Sequence, residues 1–429
     1  MTAGGGGSQV WRARPARILA AVGAWLVLTT IWALVLHRYL FHGWVTSTHR
    51  FGDLFQRLAE TRLLLHGHDP YFVGRHISDN VPPGVSLLHL PLTFLSPQTA
   101  ALIACWLSLA SVAVITAAGA STVLGCRRSV ALVAASLAAL PICAVVVFPV
   151  TAALSTGQDQ LWFMALVTVD LLWIPKRRAG FLVGLVASLS LWPAIFIVAI
   201  AARSQLRGLV RALIGGVVGV LAGVAFAPAA SWRYWTYLVP SGQVSSRGVN
   251  SSASWPVSGF AGTWNDSING ILTRPPLGGA LATRPAFLVA FVVLLAVALM
   301  AAWGLWKLGL VMCPLLVLSI SAVEASPFAW QHHWVWVVLW LPFAGVEAYR
   351  AGHRAFGVIL GLSTLVFFRQ GYNHVGAYVT RSRGEVVVTS TSGFLFVDAY
   401  QLVGLLVIAS SLVVVTLRRR ELQSPARTR

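Results

Sequence analysis

Charge is scarce in this chain. Only 10% of its 429 residues are Asp, Glu, Lys or Arg, against about 25% in an ordinary soluble domain. Acid is scarcer still, with 12 Asp and Glu set against 31 Lys and Arg. These shortages exclude a conventional soluble enzyme. Cysteine is sparse too. Cys105, Cys126, Cys143 and Cys313 lie in or beside apolar runs with no CxxC pair, so neither a disulfide framework nor a thiolate metal site is read from them. The net charge of +19 does not point to nucleic acid, because the basic residues form short clusters between apolar runs, as topology signals do.

Apolar residues are what the chain has in excess, at 57%. They recur in runs of roughly 15–25, the signature of a polytopic helical membrane protein. The first 17 residues, MTAGGGGSQVWRARPAR, read as a flexible basic lead into an uncleaved first span at Ile18–Leu36. Further spans are expected at 98–124, 129–148, 161–174, 209–227, 286–306, 309–323, 335–349, 355–368 and 401–417. The piece VPPGVSLLHLPLTFL is apolar but cut by prolines, and reads as a partly embedded element. The run 180–202 reads as a pair of short helices broken at Trp192-Pro193, which keeps Arg203, Arg207 and Arg211 on the basic side. The expected class is all-α, with about 10–12 transmembrane helices and an external amphipathic helix. It has one membrane domain, 18–417, and a basic tail, 418–429.

The positive clusters put both termini in the cytoplasm and the protein in the plasma membrane. Of the 12 acids, only Asp170, Glu347 and Glu421 then face inward. Polar chemistry collects in the external segments 38–97, 155–160, 231–285, 324–334 and 369–399. Transporters and flippases place ionisable groups within the spans, whereas these spans are almost free of charge. The pattern favours chemistry at the outer membrane face.

The segment FGDLFQRLAETRLLLHGHDPY, residues 51–71, begins with an acid and reads as a short amphipathic helix. Asp53 and Gln56 have capping-box spacing, and Leu54, Leu58 and Leu65 form a stripe expected to face the membrane. Capping alone would explain Asp53. Catalysis by a carboxylate held ionised at a helix start explains it as well.

Four segments carry a resemblance. The first is Asp53-Leu54, then Gly67 and Pro70-Tyr71. The second is Gly157-Gln158, opening a run that ends VTVDLL at 167–172. The third is Asn265-Asp266-Ser267-Ile268-Asn269-Gly270 through Arg274, preceded by SWRYWT at 231–236. The fourth is Ser326-Pro327-Phe328-Ala329-Trp330-Gln331-His332-His333-Trp334-Val335-Trp336. In these the chain resembles the actinobacterial polyprenol-phosphate-mannose-dependent mannosyltransferases, glycosyltransferase family 87, which have a GT-C fold. It departs where the family has FTYPP (here Asp79-Asn80-Val81-Pro82-Pro83), LKxTP (here Leu189-Ser190-Leu191-Trp192-Pro193) and GQxN (here Gly157-Gln158-Asp159-Gln160).

The resemblance implies an inverting transfer of mannose from a polyprenyl-phosphate donor to a glycolipid or lipoglycan, with Asp53 as general base. It implies no cofactor. Polyprenyl-phosphate arabinose is the alternative donor, and a non-catalytic scaffold the non-enzymatic reading. A phosphate leaving group needs cations or strong donors. Arg274 suits this as a bidentate clamp, and His332 and His333 are further candidates. Asn265, Ser267, Gln158 and Asp159 complete the set expected at the donor.

Each of these has a plainer reading. Arg274 could reach lipid headgroups along its aliphatic stem. Asn265 or Ser267 could cap a helix, and Asp159 could be a polar helix end. The HHWVW stretch could be an interfacial aromatic belt. Adjacent histidines on an α-helix point about 100° apart, so only one would face a given site. They lack the i, i+4 spacing of a helical metal site, and no metal is inferred.

Overall fold

The computed structural model describes residues 15–42, 51–71, 81–239, 265–274, 277, 281, 283–368, 379–382, 385–388 and 398–423. Asp79-Asn80, most of the large segment 231–285 and the tail end beyond 423 lie outside the described residues.

The described chain is helical apart from one antiparallel hairpin, β1 (Val379–Ser382) and β2 (Glu385–Val388). Among the described residues, six helices are long and apolar enough to cross a membrane: Ile18–Leu36, Pro97–Leu124, Arg128–Val146, Leu206–Phe226, Arg284–Lys307 and Ala399–Arg418. In chain order, α1 is Pro15–His42, α2 Gly52–Leu65 and α3 Gly84–His89, which tightens into a 3-10 turn at Leu90–Phe94. That short pair is the proline-cut element expected from the sequence. The next helix, α4 (Pro97–Leu124), starts where Ser96 accepts from Thr99 N at 3.2 Å, and ends at Gly125 with φ 68°. Both are ordinary start and stop signals.

Helices α5 (Arg128–Ala134) and α6 (Leu140–Val146) are joined by a π turn. They are followed by α7 (Phe148–Thr156), α8 (Gln160–Thr168) and α9 (Phe181–Leu189). After a 3-10 turn at Trp192–Ile195 comes α10 (Phe196–Phe226), then α11 (Pro228–Arg233) and α12 (Ile268–Thr273). The C-terminal part comprises α13 (Arg284–Lys307), α14 (Met312–Glu324), a 3-10 turn at Gln331–Trp334, α15 (Val335–Val338), α16 (Leu341–Arg350), α17 (Arg354–Ser363) and α18 (Ala399–Gln423).

Three expectations need correction. The span expected at 335–349 is split into α15 and α16, with Pro342 in the first turn of α16. Proline lacks the N–H that would continue the helix and its ring crowds the preceding turn. The run 180–202 breaks as expected around 190–195, but its second arm and the following span are one continuous helix, α10. Gly180 packs beside Gly208, and Gly219 beside Ser188, so α9 runs parallel to the later part of α10. The short link 190–195 can reach Phe196 only if α10 bends before Gly208. Finally, Leu54 and Leu58 of α2 do not face the membrane. They are buried with Phe51, Leu92, Ala100, Ala101 and Ala104, while Leu65 is exposed.

Helices α9 and α10 approach through small residues, the usual means of tight helix contact in lipid. A Cβ on Gly184 would collide with the Ala212 carbonyl, and one on Gly215 with the Phe181 carbonyl. Gly184→Val is therefore expected to destabilise the detergent-solubilised protein by at least about 1–3 kcal/mol. Thermal unfolding checks this. Gly23→Val, where an added Cβ meets nothing within 4 Å, should leave the midpoint unchanged.

Two of the three acids expected inside act as helix caps. Asp170 accepts from Gly180 N at 2.9 Å and Val183 N at 2.8 Å, at the start of α9. Glu347 accepts from Val311, Met312 and Cys313 N at 2.7, 2.8 and 2.9 Å, at the start of α14. Each carboxylate satisfies orphan N–H groups at the positive end of a buried helix.

Candidate active site

Asp53 lies in the first turn of α2, half-buried, where the unpaired N–H groups of a helix start favour a negative charge. The capping box expected from sequence is absent. The N-cap residue is Phe51, and Gln56 instead donates to Glu60 Oε1 at 2.7 Å. Asp53 Oδ2 accepts a hydrogen bond from Gln158 Nε2 at 2.6 Å, across 105 positions of sequence. Phe51 N donates to Ser155 O at 2.8 Å. Gly157 makes the close approach possible. Its φ is 75°, and a Cβ there would lie 2.7 Å from Leu54 Cβ. The first and second sequence segments thus meet at the turn between α7 and α8. Asp159 is buried at that turn as the N-cap residue of α8, but its side chain makes no capping bond.

The far end of α2 is tied down as well. Gly67 takes the left-handed conformation, with His68 N on Leu63 O at 2.9 Å. Tyr71 is buried against Tyr234, and Asp69 pairs with Arg233 of SWRYWT.

The third and fourth segments form one buried unit. Asn265 Oδ1 accepts from Ser267 Oγ at 2.8 Å and from Ala329 N at 3.0 Å. Asn265 and Asn269 both donate to Pro327 O, at 3.3 and 3.0 Å. Trp334 Nε1 donates to Asp266 O at 3.1 Å. Asn265 and Ser267 therefore hold protein to protein.

Arg274 is placed differently from the expectation. It is fully buried, which removes the lipid-headgroup alternative. Its guanidinium pairs with Asp398, just before α18, and donates to Asn265 O. The phosphate clamp expected from the sequence is here a buried internal pair. Asp266, of the third sequence segment, Glu324, at the end of α14, and Gln401 surround it; Asp398 and Gln401 belong to none of the four segments. Polar residues at the entrance of the last apolar run (Asp398 and Gln401, three apart) were the available signal.

Burial pushes the Asp266 carboxyl well up from the usual range. Arg274 opposes this, and Asp398 reinforces it. Burial likewise raises Asp398 to about 6, against the opposing effect of Arg274. An acid whose folded value is raised stabilises the fold at low pH, and loses that contribution as pH rises through the raised value. Asp266→Asn, which removes this titration, should gain stability over wild type as pH is taken from about 5 to about 9. Thermal midpoints of the two proteins across that range check it. A constant difference would contradict the assignment.

His332 and His333 sit in the 3-10 turn Gln331–Trp334, not in an α-helix. Their rings meet edge-on with centroids 4.5 Å apart, so they do not diverge as α-helical spacing implies. His332 is buried and stacks on Trp330, and His333 lies 4.3 Å from Trp192. Trp330 N donates to His333 Nδ1 at 2.9 Å. That bond assigns the ring proton to Nε2, a neutral donor. Burial, and then His332, hold the His333 imidazole well below its ordinary value.

The two halves are joined. Helix α7 packs against the Gln331–Trp334 turn, and Trp336 Nε1 donates to Gln160 Oε1 at 3.1 Å. The turn that holds Asp53 through Gln158 therefore also holds the histidine segment through Gln160.

Helices of membrane-crossing length, carrying polar groups gathered in loop-borne clusters, define an integral-membrane helical protein. Residues 82–327 match the profile of Glycosyltransferase family 87, and the chain belongs to that family. The matched stretch contains Gln158, Asp159, Asn265, Ser267 and Arg274, with Asp53 and His332–His333 beyond its limits. A polyprenol-phosphate-mannose-dependent alpha-(1-2)-phosphatidylinositol mannoside mannosyltransferase of Mycolicibacterium smegmatis is 29% identical over 216 residues, covering 47% of this chain and 45% of that protein. A protein of the same description from Mycobacterium tuberculosis is 27% identical over 226 residues, covering 52% and 49%. The chain thus spans about half the length of the curated relatives it matches. No solved structure matches it.

Proposed function

We propose that this protein transfers a mannosyl residue from a polyprenyl-phosphate donor to a glycolipid or lipoglycan at the outer face of the plasma membrane. The acceptor hydroxyl attacks the anomeric carbon, Asp53 takes its proton, and the sugar–phosphate bond breaks with inversion. Both termini lie in the cytoplasm, and residues 18–417 act as one catalytic membrane domain.

The observation that carries this reading is the shared turn at 155–160. It brackets a carboxylate at a helix start on one side and the paired His332 and His333 rings, with His333 a neutral donor, on the other. A proton acceptor and strong donors are what a displacement at a glycosyl phosphate requires. The family and the relatives' donor class support the same reading. His332 and His333 are assigned to the donor phosphate and sugar. Arg274, Asn265 and Ser267 are assigned to the frame behind them.

Membranes containing the protein, supplied separately with polyprenyl-phosphate mannose and polyprenyl-phosphate arabinose, test the donor. Mannosylated lipid is the expected product. Transfer from the arabinosyl donor alone would sink the mannose assignment.

A further inference from the structure

Three separate contacts fix the backbone and side chain around Asp53. Phe51 holds φ 51°, the sole non-glycine residue with positive φ among those described. For a bulky residue this conformation is strained and persists where surroundings over-determine it. Here the Phe51 ring is fully buried beside Ala100, Ala101 and Leu58, and its N–H is taken by Ser155 O. Gly157 then lets the turn close onto Leu54, the residue after Asp53. Last, Gln158 Nε2 reaches Asp53 Oδ2 at 2.6 Å. The same turn ends in Gln160, bonded to buried Trp336.

We propose that Gln158 is a positioning residue for Asp53, acting on the base and not on the donor sugar. This rests on the assignment of Asp53 as base. A donor fixed on one carboxylate oxygen sets the rotation of the carboxyl group, and so the direction from which it receives a proton. Gln160 extends the device by fixing the histidine segment to the same turn, so the spacing between base and phosphate donors is set by one short loop. This departs from the sequence reading, which placed Gln158 at the donor.

Two variants test it. Gln158→Leu removes the donor and the polar group, and Gln158→Glu keeps the shape but offers no N–H. Both are assayed in vesicles with polyprenyl-phosphate mannose and a glycolipid acceptor, beside Asp53→Asn. The expected result is kcat lower by about 100-fold in both variants, with KM for donor and acceptor within about three-fold of wild type. Thermal midpoints near wild type show that the fold is retained. Wild-type kcat in the isosteric Glu variant would overturn the proposal. So would a raised donor KM at unchanged kcat, which would return Gln158 to the donor. An active Asp53→Asn enzyme marks the different failure, that of the base assignment itself.

Discussion

Asp53→Asn is expected to lower kcat for mannosyl transfer by about 10²–10⁴-fold, the usual contribution of a positioned general base. The substitution is nearly isosteric. The carboxamide oxygen can still accept from Gln158 Nε2, which now lies 2.6 Å from Oδ2. The buried anchors on either side, Phe51 and Leu54, are untouched. The thermal midpoint should therefore stay near wild type while the proton acceptor is lost. Donor KM should change little, because the acid's task falls in the transition state. Asp53→Glu keeps the carboxylate but moves it by a methylene, and should retain a measurable fraction of activity.

Arg274→Leu is expected to destabilise the protein by about 3–5 kcal/mol, the range for breaking a buried ion pair from one side. Asp398 would be left fully buried without its partner, near Asp266 and the equally buried Glu324. Glu324 already has no hydrogen-bond partner among the described residues. The Asn265 carbonyl would lose a donor as well. The double variant Arg274→Leu with Asp398→Leu should recover most of the loss, because removing both charges removes the uncompensated one. Thermal midpoints of wild type, Arg274→Leu, Asp398→Leu and the double variant give the stability cycle. Activity gives a second readout. If Arg274 braces the site from behind, the stable double variant regains transfer. If the guanidinium itself holds the donor phosphate, the double variant is stable and inactive.

Much of the fold was legible because membrane helices announce themselves by length and composition. All six long apolar helices fall within a few residues of expected spans. The stop before Pro342 was legible in principle, since proline breaks a helix wherever it falls in the interior. The merger of the second arm with α10 was not, because the charge cluster Arg203, Arg207 and Arg211 looks like a loop whether or not the helix continues through it.

Less of the site was legible. The acids and histidines could be picked out by type and by family pattern, but their partners are remote in sequence. Asp53 meets Gln158 and Arg274 meets Asp398 at separations of 105 and 124. No local pattern encodes such pairs. The amphipathic stripe of α2 could be seen, but a stripe does not say whether lipid or protein covers it. Here protein covers Leu54 and Leu58. The capping roles of Asp170 and Glu347 were hinted at by their isolation among apolar residues on a basic side.

The most direct measurement is on the purified protein in lipid vesicles, given β-linked polyprenyl-phosphate mannose and a mannosylated glycolipid, with the anomeric configuration of the product read by NMR. The expected result is an α-mannosyl product from wild type, and its loss with Asp53→Asn at an unchanged thermal midpoint. A β-linked product, or wild-type rates from Asp53→Asn, would contradict single displacement with Asp53 as base.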